Sequence, residues 1–289
     1  MYWQCRNRKL ECDSQPLIMG ILNVTPDSFS DGGRFESTAA AIATARQMVG
    51  EGADIIDVGG ESTRPGSAAV DAAEELRRVA DVIEALAGDT DVVISVDTMK
   101  ADVAREAMQR GAHIINDVSA MTHDTEIAAV AAEFGAGVVL MHMQGSPRTM
   151  QKSPHYGDVV ADVREYLAKR IADATRVGLA RETLAIDPGI GFGKTAEHNL
   201  QLIAQLEQFT ALGQPLLVGL SRKRFLGMLT GAPVEERLAG SLAGLTCSVL
   251  HGANIMRVHD VKESRQAVRI AAAIRNPNKS RTRVEATKC

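Results

Sequence analysis

Asn23, Asp57, Asp97, Asn116 and Asp187 each close a short apolar run, and a further run closes at Ser221 with Lys223 just beyond it. Gathered at one place, such carboxylates and amides suit a flat heterocycle that displays N–H donors, and the ammonium of Lys223 suits its carbonyl or ring nitrogen. Arg64, Arg257 and His259 make a second set, fitted to a phosphate or diphosphate. The chemistry implied has two zones, one for a polar ring and one for an anion.

The loops that carry these residues differ in kind. Residues 17–33 open as a strand buried on both faces, turn polar at Asn23, and then surround one aromatic, Phe29, with hydroxyls and carboxylates. Phe29 either walls a ligand or tucks against a neighbouring helix. Residues 57–67 turn through Gly59 and Gly60 and present Glu61, Ser62, Thr63 and Arg64 before Pro65, which sets Arg64 toward an anion or toward solvent. Asp97 could instead cap the helix that follows it. In 187–194, Gly189, Gly191 and Gly193 interleave with Ile190 and Phe192. That run resembles a phosphate-binding P-loop but has Pro188 where the motif needs a glycine, so it reads as backbone that approaches a flat ligand, with Phe192 as an apolar wall. Arg222, Lys223 and Arg224 follow one strand, and Arg257 and His259 alternate on another. His142 has no second histidine at ligand spacing, and Cys5, Cys12, Cys247 and Cys289 form no CxxC pair, which favours free thiols in a reducing cytoplasm.

Eight apolar runs are needed to position these residues: Leu17–Asn23, 53–57, 92–97, 113–116, 137–142, Leu184–Asp187, 216–221 and 254–259. Helical periodicity lies between them, as at Leu76, Val79, Ala80, Ile83 and Leu86. Strand and helix alternating eight times in a chain of 289 residues, 45% hydrophobic and 24% charged, predict one α/β domain, a (β/α)8 TIM barrel whose loops after the seventh and eighth strands usually seat a phosphate. Residues 1–15 read as a short N-terminal hairpin plugging the bottom of the barrel or as a leader, 16–274 as the barrel, and 275–289 as a flexible tail. A net charge of −4 argues against nucleic acid, and no apolar run suits a membrane span or export signal. The segment around 236–250 is small or apolar on nearly every face, so one face is free to meet a second subunit at Ala239, Gly240, Ala243 and Gly244, which predicts a homodimer.

GILNVTPDSFSDGG, DIIDVGGESTRPG, SVDT, HIIND, LMHMQG, DPGIGFGK, GLSRKRF and RVHDVKE, in that order from about residue 16 to 274, resemble the bacterial dihydropteroate synthases, the pterin-binding enzymes of folate synthesis. The resemblance implies transfer of a dihydropterin methyl group from diphosphate to 4-aminobenzoate in the cytoplasm, with Mg²⁺ as cofactor and sulfonamides as competitors. It further implies a pterin site at Asp97, Asn116, Asp187 and Lys223. The diphosphate would lie at Asn23, Thr63, Arg64, Arg257, Val258 and His259, with Asn23 also holding Mg²⁺. Phe29, Thr63, Arg64, Pro65, Phe192, Ser221 and Lys223 would line the 4-aminobenzoate pocket. Asp97, Lys223, Arg257 and His259 would carry the chemistry. Ile190 and Arg224 depart from the residues many members have, Phe and Ser. A corrinoid-dependent methyltransferase or a non-catalytic pterin binder is the alternative; neither needs the diphosphate-side motifs together.

Overall fold

In the computed structural model, the described residues are 1–25, 34–62, 67 and 69–277, with the side chains of 34–37 left aside. An antiparallel hairpin, β1 (Tyr2–Cys5) and β2 (Arg8–Glu11), precedes the alternation. Then come β3 (Leu17–Asn23), α1 (Arg34–Glu51), β4 (Ile55–Gly59), α2 (Ala72–Asp89), β5 (Val93–Asp97), α3 (Ala101–Gln109), β6 (Ile114–Asp117) and α4 (Ile127–Phe134). The second half runs β7 (Gly137–Met141), α5 (Val159–Arg176), β8 (Leu184–Asp187), α6 (Ala196–Ala204), α7 (Glu207–Thr210), β9 (Leu217–Val218), α8 (Arg224–Thr230), α9 (Leu238–Leu250), β10 (Ile255–Val258) and α10 (Val261–Arg275).

The eight strands from β3 onward form one parallel sheet, ordered β8, β7, β6, β5, β4, β3, β10, β9. A single parallel bridge from Ile186 to Leu216 joins its two ends into a barrel. Strands continuously buried along their length, such as β4, β5 and β7, are what a sheet with helices outside and side chains inside requires. Polar first residues start several of the helices that pack outside: Asp71 accepts from the Glu74 N–H, Asp158 from Val160 and Ala161, and Thr195 forms a reciprocal cap with His198.

Two separate cores result. The larger lies between barrel and helices. The smaller gathers Trp3, Cys5 and Cys12 of the hairpin segment against Leu17, Met19, Ile55, Val93, Ile114, Val139, Ala185, Leu217 and Ile255, so that every barrel strand contributes to the seat of the plug. Trp3 is fully buried there and its indole N–H donates to the Thr183 carbonyl at 2.9 Å.

β3 and β8 have the bounds read from the sequence, but the other six barrel strands do not, three of them in ways that bear on the site. β4 continues two residues past Asp57, because Gly59 pairs with both Asn23 and Asp97 in the ladder, and β6 likewise runs on to Asp117. Polar residues taken as strand ends are thus inside the sheet. β9 is shorter than expected, since the chain already turns at Leu220, whose carbonyl accepts from the Lys223 N–H at 3.2 Å.

Candidate active site

At the C-terminal rim the ladder sets Gly59 between Asn23 and Asp97. A Cβ at Gly59 would stand 3.5 Å from that of Asp97 and 3.9 Å from Asn23 Oδ1, so both polar side chains flank Gly59 at van der Waals distance. Beneath it Asp57 is fully buried, and its Oδ2 accepts from Arg257 Nε at 2.6 Å and from Asn116 Nδ2 at 3.0 Å. Arg257 Nη2 donates to Asp97 Oδ2 at 2.7 Å. One guanidinium therefore braces two carboxylates from β4 and β5, leaving Nη1 as its remaining donor edge. Asp57 Oδ1 is buried with no hydrogen-bond partner among the described residues.

This arrangement shifts the charges. Burial raises the pKa of Asp97, with Asp57, Glu75 and Asp117 adding to the shift against the opposing pull of Arg257. Burial works against the charge on Arg257, but Asp57 and Asp97 outweigh it and raise its pKa. The result is a fixed cation next to a carboxyl group of raised pKa.

On the far side, Asp187 closes β8 and is almost fully buried. Its Oδ1 accepts from the Gly189 N–H at 2.7 Å, which leaves Oδ2 for a ligand. Burial raises its pKa, countered by that hydrogen bond and by Lys223, Lys194 and Arg257. Lys223 donates to the Ile190 carbonyl and its ammonium stands 4.3 Å from the centroid of the Phe192 ring. Burial and Arg257 draw the Lys223 pKa down to about 7 against the pull of Asp187. Gly191 makes the contact possible: at φ 84°, a Cβ there would lie 2.8 Å from Lys223 Cδ. Ser221 Oγ lies 3.0 Å from His259 Nδ1 and accepts from the His259 N–H at 3.3 Å, tying the ends of the last two strands together.

The rim brings together Asn23, Asp97, Asn116, Asp187, Phe192, Ser221, Lys223, Arg257 and His259. Val258 is buried between Arg257 and His259, so it can meet a ligand only through its backbone. Phe29, Thr63, Arg64 and Pro65 lie outside the described residues. The three consecutive cations after β9 do not converge: Arg222 pairs with Asp260 at the surface, Arg224 starts α8 exposed, and Lys223 alone turns inward. Arg257 also stands nearer the carboxylates than an isolated anion seat would have it. Asp97 does not cap α3, whose first residue is preceded by Lys100 without a side-chain cap.

Sequence reading passed over two groups, one buried and one half-buried. Lys194 Nζ lies 2.9 Å from His142 Nδ1 and donates to the Phe192 carbonyl at 3.0 Å, with burial drawing its pKa well down, so it is an internal strut of the 187–194 loop. Lys100 bridges Glu61 and Glu75 and pins the start of the second loop. The signal for Lys194 was its place directly after Gly193 in a glycine-spaced run; for Lys100 there was none beyond its nearness to Asp97. Among the described residues no three His, Cys, Asp or Glu side chains gather as a metal site. The oxygen donors at the rim, the Asn23 amide oxygen among them, are of the kind that Mg²⁺ takes.

Residues 19–259 match the pterin binding enzyme family. The chain is 52% identical over 260 residues to the dihydropteroate synthase of Escherichia coli K12, spanning 90% of this chain and 92% of that one. It is 43% identical over 267 residues to that of Bacillus subtilis, spanning 92% and 91%. A crystal structure of the Yersinia pestis dihydropteroate synthase with a sulfonamide drug superposes with a TM-score of 0.90 at 46% identity, covering 96% of this chain and all of the other. The Xanthomonas albilineans dihydropteroate synthase in complex with 7,8-dihydropteroate gives 0.86 at 44%, covering 95% and 98%. With a family match over residues 19–259 and relatives of this identity and coverage, the chain belongs to the pterin-binding enzyme family.

Proposed function

We propose that this chain catalyses the dihydropteroate synthase reaction of folate biosynthesis, a transfer in which (7,8-dihydropterin-6-yl)methyl diphosphate and 4-aminobenzoate give 7,8-dihydropteroate and diphosphate. The observation that carries the reading is the division of the rim: Asp187 Oδ2, Asn116 and Lys223 on one side, with the fixed cation Arg257 and His259 on the other. Asp187 accepts from the pyrimidinone ring N–H and its amino group, Lys223 donates to the ring, and Asn116 and Asp97 complete the pterin site.

As the methylene C–O bond breaks, negative charge grows on the diphosphate. Arg257 Nη1 and His259, with Thr63, Arg64 and the Val258 backbone, meet that charge, while Asp97 beside the ring steadies the positive charge left on the pterin methylene. Asn23 would help hold Mg²⁺, which when bound would supply charge neutralisation at the leaving group. The neutral aromatic amine then forms the C–N bond and releases a proton to solvent. Its proposed pocket comprises Phe192, Ser221 and the Lys223 stem together with Phe29 and Pro65, which lie outside the described residues, and sulfonamides would compete there, in keeping with the drug-bound Yersinia pestis relative. Because the amine is a neutral nucleophile, no strong base is needed.

A homodimer belongs to the same proposal. Gly240 and Gly244 pack against Leu226 and Leu220 of their own chain, so the face first assigned to a partner narrows to Ala239 and Ala243. Exposed Met228 and Leu229 of α8, Leu250 of α9, and Ile270 and Ile274 of α10 extend the apolar surface available for a second subunit. No described helix is long and apolar enough to cross a membrane, and a cytoplasmic setting is proposed. Residues 16–274 are taken as the pterin-binding unit, with 1–15 as its plug and 275–289 as a tail.

The reaction is tested by incubating the purified chain with the dihydropterin diphosphate, Mg²⁺ and 4-aminobenzoate. Dihydropteroate and diphosphate formed in equal amounts support it; a pterin bound without turnover would mark a binding protein instead.

A further inference from the structure

The bottom of the barrel carries a second recess, remote from the rim and of the opposite character. It has a volume of about 380 Å³, is lined by Arg6, Asn7, Arg8, Thr90 and His113 among others, and has no acidic residue in its lining. Arg8 Nε is buried with no hydrogen-bond partner among the described residues, although Nη2 of the same guanidinium reaches the exposed carboxylate of Asp91 at 3.2 Å. His113 Nδ1 accepts from the Ile94 N–H at 3.2 Å, so the neutral ring carries its proton on Nε2 and offers a donor edge. Burial, with Arg8 and Arg6 nearby, lowers the His113 pKa to about 4, so at neutral pH the ring is that neutral donor. Arg6 is held in place by the carbonyls of Met108 and Ala112, at 2.9 and 3.1 Å from its Nη1, and by the ring of Phe134.

Two guanidinium groups, one of them paired only with the exposed Asp91, an imidazole donor and one unsatisfied buried N–H, around a hollow whose lining has no acidic residue, suit an acceptor-rich anion. A tetrahedral oxyanion can accept from donors that converge from several directions, as those of a hairpin turn, a helix end and a strand start do here. The recess is larger than a bare phosphate and leaves room for a small organic body. We propose that this recess binds a phosphoryl oxyanion, either free or as the monoester of a small metabolite, at the mouth opposite the catalytic rim.

The test uses the full chain labelled with ¹⁵N-histidine at pH 7.5, with the His113 signals assigned through His113→Gln. The probes are inorganic phosphate and ribose 5-phosphate. His113 should shift saturably with at least one probe. Arg8→Gln should weaken that response more than about tenfold through loss of a charge-assisted hydrogen bond. Arg257→Met, which alters the rim, should leave the response unchanged. A stronger response to ribose 5-phosphate assigns the site to monoesters, and an equal or stronger one to phosphate assigns it to the free anion. If His113 of the parent protein stays unmoved by both probes, or moves equally in an Arg8→Gln variant shown to be folded by circular dichroism, the recess is not an anion site. The parent titration decides the question even if Arg8→Gln fails to fold.

Discussion

In the proposed reading pterin recognition turns most directly on Asp187, because one oxygen is already committed to the Gly189 N–H and the other is left for the substrate. An ionised carboxylate can keep the first bond and still accept from the substrate. In Asp187→Asn, if the amide oxygen retains Gly189, the amino group points a donor at the donors of the pterin ring. Losing one charge-assisted bond and leaving a buried donor unpaired should cost roughly 2 to 4 kcal/mol, about 30-fold to 1000-fold in affinity for the pterin diphosphate. Inorganic diphosphate, held by Arg257 and His259, should bind the variant nearly as before. Calorimetry with the two ligands separates these outcomes, and equal pterin affinity in a folded Asp187→Asn variant would remove Asp187 from the anchor role. Asp57 teaches the complementary lesson. Its residue type and place after an apolar run were plain in the sequence, but its partners were not, because the pairing with Arg257 spans 200 residues of chain. Only the parallel pairing of the last strand with the first, β10 on β3, brings that cation to the carboxylate on β4.

The loop after β8 works as an element, and Gly191 shows how. Two glycines with similar backbone demands differ only in what surrounds them: Gly191 at φ 84° would drive a Cβ into Lys223 at 2.8 Å, whereas Gly231 at φ 75° ends α8 with nothing within 4 Å. Alanine at either position should destabilise the fold by about 1 to 2 kcal/mol, the usual penalty for a left-handed L-residue. Gly191→Ala alone should also push Lys223 off the Phe192 ring and lower kcat/KM, while Gly231→Ala should keep it. Equal activity in the two folded variants would show that the loop does not set the position of Lys223. At this scale much was legible beforehand. The eight alternations, the strand bounds of β3 and β8 and the hairpin were all read from apolar runs and helical spacing, since period and burial are local properties. What escaped was where a polar residue lies inside a ladder instead of at its end, as with Asp57 and Asn116, and where consecutive cations diverge, as at Arg222, Lys223 and Arg224. Both depend on neighbours that are distant in sequence.

For the molecule as a whole, assembly and acid response can each be measured. Sedimentation at micromolar concentration should give twice the 30.9 kDa chain mass, and Ile270→Glu with Ile274→Glu should reduce it to one chain without unfolding the barrel. A parent that sediments as one chain would leave the apolar surface of α8 to α10 without that role. The acid response follows from a buried histidine. His142, against Lys194, has its pKa lowered to about 3, through burial first and that cation second. The sign is fixed by linkage. Below about pH 6.5 the unfolded chain takes up a proton at this residue that the folded chain refuses, so its contribution to stability is lost as pH falls toward 3, at up to about 1.4 kcal/mol per pH unit. Asp97, Asp187, Asp117 and Glu75 act in the opposite sense, since their raised pKa values let the folded chain take up protons first. The total curve mixes both, but a difference between variants does not. His142→Gln keeps an acceptor for Lys194 and removes only the titration, so the other groups cancel. Urea unfolding should therefore show the parent losing stability relative to His142→Gln as pH drops from 7 to 4.5, by up to about 3 kcal/mol. Parallel stability curves would mean that His142 is protonated in the folded chain, and that the pair with Lys194 carries one more positive charge than its burial allows.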